Sequence, residues 1–321
     1  MALIGGDILT NRRLDFDDVN NRRYEFEALA VDQGEPGLTS TASIKIQLVD
    51  INDNAPIFTE PVYYGNVDEN AETGTTVIMK RYIETTDADA GRNADVFYTL
   101  TGNYSDQFHI DANTGIITTT NDDATAILDR EEISLYHLVV TAHDGAHNST
   151  VPINITVNDV NDNAPLFEEA VYHFNVSEDA TVGTTVGLVV AQDMDTGINS
   201  RLTYFLVGGS DGKFAVDPVS GAVFVLSHLD RDTTGSYTII LSVTDGGDDI
   251  FSDFTEADIQ ILDVNDNAPT FDSDNYLADV EEELPSGTYV FTVTATDPDA
   301  GSNGDVMYSL NTDDFVVNQT T

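Results

Sequence analysis

Seven residues recur three times along the chain. Asp50 to Pro56 reads DINDNAP, and both Asp159 to Pro165 and Asp263 to Pro269 read DVNDNAP. Each copy offers only carboxylates and side-chain amides, so its chemistry is that of hard oxygen donors. More acids recur around it in a fixed order. Upstream stand LDREE (Leu128 to Glu132), LDRD (Leu229 to Asp232) and a degenerate LDFD (Leu14 to Asp17). Downstream stand VDEN, VSED and VEEE, holding Glu69, Glu178 and Glu282. Then follow DADAGRN (Asp87 to Asn93), DMDTGIN (Asp193 to Asn199) and DPDAGSN (Asp297 to Asn303), and the turns at Asp32, Asp144 and Asp245.

Carboxylates gathered in this way repel. Two of them about 4 Å apart cost roughly 4 kcal/mol at the effective dielectric of a protein surface, so a cluster needs a counter-ion. Many oxygens from irregular loops suit Ca²⁺, which accepts loose coordination, better than octahedral Mg²⁺. Neither the imidazole nor the thiolate expected of zinc accompanies them. A scattered solubility coat or a halophile-like surface would instead spread acids over exposed strand faces.

The heptads lie roughly one hundred residues apart, the size of one small domain, and a repeat outranks length as evidence of organisation. Between motifs run stretches such as SIKIQLV, LYHLVVTA, INITV, YTIILSV and YVFTVTA. They are rich in Val, Ile, Thr and Tyr and are punctuated by Gly, Asn and Asp, which predicts an all-β chain of short-stranded sandwiches. No segment holds a helical period.

Composition narrows the partners. With 57 acidic against 12 basic residues the formal charge is −45, which excludes nucleic acid and anionic membrane surfaces. There is no cysteine and no tryptophan, so neither a disulfide nor the Cys, Trp, Cys signature of immunoglobulin domains is available. Sequons at Asn103, Asn148, Asn154, Asn175 and Asn318 are compatible with secretion. Asn154, inside an apolar strand pattern, is the one expected to go unused. No signal peptide or apolar span is present, and Met1 opens in mid-repeat, as in a piece of a longer protein.

Taken together, DxNDNAP, LDRE, the xEx glutamate, DxDxGxN and the AxDxG turn resemble the extracellular cadherin repeat over essentially the whole chain. The resemblance implies tandem seven-stranded Greek-key β-sandwich repeats, joined by linkers that bind about three Ca²⁺ at each complete junction. It implies residues 1–56 as the C-terminal part of one repeat, 57–165 and 166–269 as complete repeats, and 270–321 as the N-terminal part of a fourth.

Carried onto these positions, the family's ligands at the middle junction are Glu69, Asp129, Glu131, Asp159, Asn161, Asp162, Asn163, Asp193, Asp195, Asn199 and Asp245. Asn163 and Asn199 would offer backbone carbonyls, while Asp162 and Asp195 would bridge ions. The first junction draws on Asp15, Asp17, Asp50, Asn52, Asp53, Asn54, Asp87, Asp89, Asn93 and Asp144. The third draws on Glu178, Asp230, Asp232, Asp263, Asn265, Asp266, Asn267, Asp297, Asp299 and Asn303. Asp17 and Asp232 stand where the family prefers Glu, and Phe16 replaces the motif's Arg. These departures make the first junction the weakest in expectation.

Catalytic readings fail on context. Gly208, Ser210 and Gly212 match G-x-S-x-G without a strand-to-helix elbow or a histidine partner. His143 and His147 bracket Asp144 at a spacing that faces one way only on a helix. The DxDxG runs have Gly at the fifth place, and Tyr98, Tyr204 and Tyr308 stand at the twelfth, where an EF-hand needs Glu; a place in the sandwich core is expected for those tyrosines. The resemblance implies a non-enzymatic glycoprotein on the extracellular side of the plasma membrane, mediating calcium-dependent and homophilic adhesion with another cadherin ectodomain. Any membrane attachment comes through a segment outside this chain. The alternatives are a structural spacer in a large cell-surface protein and a calcium-binding module of a secreted one. Strand-exchange adhesion uses a tryptophan, which this chain lacks.

Overall fold

The computed structural model describes residues 5–120 and 128–318. Met1, at which the expected first partial repeat opens, and Thr320, which completes the sequon of Asn318, lie outside them. Two compact units divide the chain, Met1–Val160 and Asn161–Thr321.

In the first unit the strand Leu135–His143 alternates so that Tyr136, Leu138, Val140 and Ala142 are buried. Asn148–Asn158 does the same with Val151, Ile153, Ile155 and Val157. The two pair antiparallel. Phe97–Gly102 joins the outer side of the first, and Tyr63–Asp68 runs parallel to the second. Opposite them, Ile57–Phe58 pairs with Thr85–Thr86, and Phe108–Ile110 with Ile117–Thr119. Tyr63, Phe108, Ile117, Leu138 and Ile153 fill the space between the layers. Counting Ile57–Phe58 with Tyr63–Asp68, and Ile78–Met79 with Thr85–Thr86, as interrupted single strands leaves seven strands. Pro152 lacks the N–H that a central strand position needs. It is tolerated because Tyr63–Asp68 begins its pairing only at Ile153.

The second unit repeats this plan. Val171–Ser177, Ser252–Leu262, Ser236–Thr244 and Thr203–Gly208 form one sheet in that order, the first two parallel. Thr185–Leu188, Ala222–Val225 and Phe214–Val216 form the other. Phe214, Leu229, Ile239, Leu241 and Ile259 are buried between them. Each of these two sandwiches therefore owns a closed core.

The flanking segments are sparser. Arg23–Val31 and Thr39–Gln47 make a hairpin with no buried residue, and Thr270–Phe271 pairs with Ala295–Thr296. The predicted strand in YVFTVTA shrinks to its last residue. A strand needs neighbouring N–H and C=O groups, and partners like those of the complete repeats are missing among the described residues of that segment.

Candidate metal centres

The local backbone explains why acids recur at these spacings. In each DxDxG run the third residue's amide donates to the first residue's carboxylate, Asp89 to Asp87 at 3.0 Å, Asp195 to Asp193 at 2.9 Å and Asp299 to Asp297 at 3.0 Å. The chain then turns through a left-handed glycine, Gly91, Gly197 or Gly301, with φ of 61°, 65° and 58°. This curl aims the second aspartate inward. Asp89, Asp195 and Asp299 are all buried.

At the first linker, one oxygen from each of Asp17, Asp53 and Asp89 lies within 4.8 Å of the others, and the same holds for Asp87, Asp89 and Asp144. Asp89 belongs to both sets. Asn54 donates its side-chain amide to Asp17 at 2.6 Å, to Asp53 at 3.2 Å and to Asp89 at 2.7 Å. Asp50 accepts from the Ala90 amide at 3.0 Å and from Asn93 Nδ2 at 2.8 Å. Asn52 reaches the carbonyls of Asn93 and Asp144, both at 3.4 Å, and its Oδ1 lies 2.8 Å from His147 Nδ1. Asp15 is exposed and accepts the Asp17 amide at 2.9 Å. Phe16 lies under Arg22, whose guanidinium carbon is 4.4 Å from the ring centre.

Electrostatics reflect this crowding. Burial pushes the Asp17 carboxyl up, and the charges of Asp89, Asp50 and Asp53 add to it against the Asn54 hydrogen bond. Burial also acts to raise Asp144, but the amides of His147 and Ala146, with Asn52 and His147, outweigh it and hold the group below the ordinary carboxylate range. Four buried carboxylate oxygens here, Asp17 Oδ1, Asp50 Oδ1, Asp87 Oδ2 and Asp144 Oδ2, have no hydrogen-bond partner among the described residues. Buried acceptors without donors are costly, and an oxygen-only set fits a hard divalent cation.

The residues assigned to the middle junction fall in both units. In the first unit Glu69 is buried and accepts the Arg130 amide at 2.8 Å and the Val160 amide at 2.7 Å. Its carboxyl is raised by burial, against those two amides, with Glu131 adding to the rise. Glu69, Asp129 and Glu131 each bring an oxygen within 4.8 Å of the others. The Arg130 guanidinium lies 2.6 Å from both Glu131 and Asp159. In the second unit Asn163 donates to Asp162 at 2.7 Å and to Asp195 at 2.8 Å, and Asn161 to Asp245 at 3.0 Å. Asn161 Oδ1 is buried without a hydrogen-bond partner among the described residues. Asn199 donates its backbone amide to Thr196.

The third set lies within the second unit. Glu178 accepts the Arg231 and Val264 amides at 2.6 and 2.7 Å, as Glu69 does with its own neighbours. Glu178, Asp230 and Asp232 cluster within 4.8 Å, so the shorter Asp232 still reaches the place held elsewhere by Glu131. Asn267 joins Asp232, Asp266 and Asp299, while Asp263 accepts from Ala300 and Asn303. Burial raises the carboxyls of Asp232 and Asp266, and neighbouring acids add to the rise. Asp230 is lowered by the Thr233 hydroxyl and amide. Asn265 is exposed, and so is Glu282, although its counterparts Glu69 and Glu178 are buried.

Reasoning from the sequence misses Arg130 and Arg231, which lie inside two of these sets. The cue that could have found them is the shared LDR of Leu128 to Arg130 and Leu229 to Arg231. The catalytic look-alikes dissolve. Ser210 sits in a turn between Gly209 and Gly212, both at positive φ, and His143 lies against Phe97 with ring centres 5.7 Å apart. Tyr98 and Tyr204 are buried in the cores and Tyr308 is half-buried.

Comparison with known proteins bears on the family. The cadherin domain model matches residues 63–158 and 172–262. The chain is 38% identical to mouse cadherin EGF LAG seven-pass G-type receptor 1 over 95% of its length, covering 10% of that receptor. It is 35% identical to human protocadherin Fat 4 over its full length, covering 6% of that protein. The chain thus spans a tenth or less of these relatives. Among solved structures, mouse cadherin-23 EC22-24 gives a TM-score of 0.67 at 32% identity, covering 79% of this chain and 78% of that one. The protocadherin gammaB7 EC3-6 cis-dimer structure gives 0.75 at 29% identity, covering 92% and 72%. Two closed seven-stranded sandwiches, with linker acids gathered at their ends and a family model matching both, place this chain in the cadherin family.

Proposed function

We propose that the chain is part of the extracellular region of a cell-surface adhesion protein and that its linkers hold Ca²⁺, about three ions at each complete junction. The proposed repeats are 1–56, 57–165, 166–269 and 270–321. One observation carries the calcium reading: Asp89 is shared by two acidic clusters in which three buried carboxylate oxygens, Asp17 Oδ1, Asp87 Oδ2 and Asp144 Oδ2, have no hydrogen-bond partner among the described residues.

A bound Ca²⁺ would supply positive charge and accept several oxygen ligands at once. Asp17, Asp53, Asp87, Asp89 and Asp144 would hold it at the first linker, with Asp50 and Asn52 fixing the loops that present them. Glu178, Asp230, Asp232, Asp266 and Asp299 are the corresponding set at the third. Homophilic contact with another cadherin ectodomain is the adhesive reading that the relatives support.

Calcium titration by calorimetry and thermal melting in calcium against chelator test the first part. Saturable binding with a higher melting temperature supports it, and an unchanged melting temperature at millimolar Ca²⁺ overturns it. Beads coated with the intact ectodomain, or with one lacking these repeats, test the adhesive part. Equal aggregation by both would favour a spacer.

A further inference from the structure

We propose that Asn175 carries an N-linked glycan whose first sugars lie in a polar groove on the outer face of its own sheet. The proposal rests on the extracellular reading above and adds a modification site to it.

Asn175, Val176 and Ser177 form the sequon, on the strand Val171–Ser177. Alternation along that strand buries Tyr172 and Val176 and turns His173 and Asn175 outward. The sheet register then sets out two outward rows. Asn175 lies opposite Gln260, which lies opposite Ser236; His173 lies opposite Asp258, which lies opposite Thr238. These six side chains border a groove of about 390 Å³. Its walls offer hydroxyl, amide, imidazole and carboxylate groups. Asp258 accepts the Thr238 hydroxyl at 2.7 Å and lies 3.6 Å from His173 Nδ1.

Sugars suit such a surface because each ring carries several hydroxyls that donate and accept in turn. A groove beginning at the acceptor asparagine presents these groups to the first sugars without requiring a free ligand to be captured. In the attachment step, Asn175 Nδ2 attacks the anomeric carbon of an oligosaccharide held on a polyprenyl diphosphate. The C–N bond forms, the anomeric C–O bond breaks with its electrons leaving on the diphosphate, and the amide gives up one proton to a base.

Asn154 provides the contrast. It also points outward, on Asn148–Asn158, but it is half-buried, stands between Tyr64 and His137 in the register, and its Oδ1 lies 2.7 Å from His137 Nδ1. A sugar there would displace that contact.

The test is secretion of the full chain from mammalian cells behind a signal peptide, with calcium binding measured on the same material. Enzymatic deglycosylation in ¹⁸O-water followed by mass spectrometry should mark position 175 in most molecules, and Ser177→Ala should abolish the mark. Asp258→Ala should leave occupancy unchanged but speed glycosidase release at Asn175 at least twofold. An unmodified Asn175 in secreted, calcium-binding protein overturns the proposal and leaves the function reading intact. Equal release rates in Asp258→Ala and the parent overturn the groove. Modified protein that fails to bind calcium counts against the function reading alone.

Discussion

Asp89 meets the linker residue Asn54 twice. One carboxylate oxygen accepts the Asn54 side-chain amide at 2.7 Å, and the other accepts its backbone amide at 3.3 Å. The same doublet joins Asp195 to Asn163 at 2.8 and 3.4 Å, and Asp299 to Asn267 at 2.8 and 3.4 Å. A neutral side chain thus holds acids together at each linker by donating N–H groups between them.

Replacing that donor with an acid should expose the repulsion it relieves. Asn267→Asp sets a new carboxylate against Asp232, Asp266 and Asp299, where one pair at 4 Å costs roughly 4 kcal/mol before the side chains relax. Melting in chelator should fall by several degrees, and millimolar calcium should recover most of the loss. A variant as stable as the parent in chelator would refute this account of Asn267.

The shared aspartate should matter more than an acid outside the motifs. Asp89→Asn removes charge from two clusters at once, whereas Asp211 sits in a turn at φ 48° with no motif role. Its control is Asp211→Asn, because Asn tolerates the left-handed conformation and Ala would add strain. Calorimetry should show the tighter calcium sites lost in the first variant only.

Arg130 acts as a resident counter-ion. Its side chain is 16% exposed and contacts Glu131 and Asp159 at 2.6 Å, and removing one member of such a pair costs about 3–5 kcal/mol when the pair is buried. Arg130→Leu should therefore lower the melting temperature in chelator and enlarge the gain on adding calcium. An unchanged gain would mean that the guanidinium does not offset the acids that calcium is proposed to neutralise.

Two turns away from the linkers predict an acid-range effect. Asp111 is lowered from 3.8 by the Thr114 hydroxyl and amide and by the Asn113 amide; Asp217 is lowered from 3.8 by the Ser220 amide and hydroxyl and by the Val219 amide. A depressed folded value means that the unfolded state binds the proton more readily. The stabilisation is then present above pH 3.8 and is lost as pH falls through the lower folded value. Asp111→Asn should flatten the loss of stability across that window, as followed by denaturant melts at stepped pH. A slope equal to the parent's would remove Asp111 as its source.

The strands were legible because alternation marks both faces of Leu135–His143 and Asn148–Asn158, and the acids were legible because they recur in register. Other features depend on distant neighbours. YVFTVTA has the composition of a strand, but pairing is decided by a partner far along the chain. Arg130 reads as a surface cation until the fold sets it between Glu131 and Asp159. The turns at Asp111 and Asp217 share an Asp, a Thr or Ser three places later and a Gly four places later, a short pattern whose common role emerges only in the fold, where both carboxylates bind their turn amides and hydroxyl alike.

The parallel pairing of Tyr63–Asp68 with Asn148–Asn158 has a mechanical consequence. The chain enters the repeat near the start of the first strand and leaves at the end of the second. Opposed pulling on those two ends therefore slides the strands along each other. Load is shared by the register from Tyr63 with Ile153 to Asp68 with Asn158, rather than opening one hydrogen bond at a time. Val171–Ser177 and Ser252–Leu262 give the second repeat the same shear geometry. A tether built this way resists tension through its backbone ladder, independently of the acids at its ends.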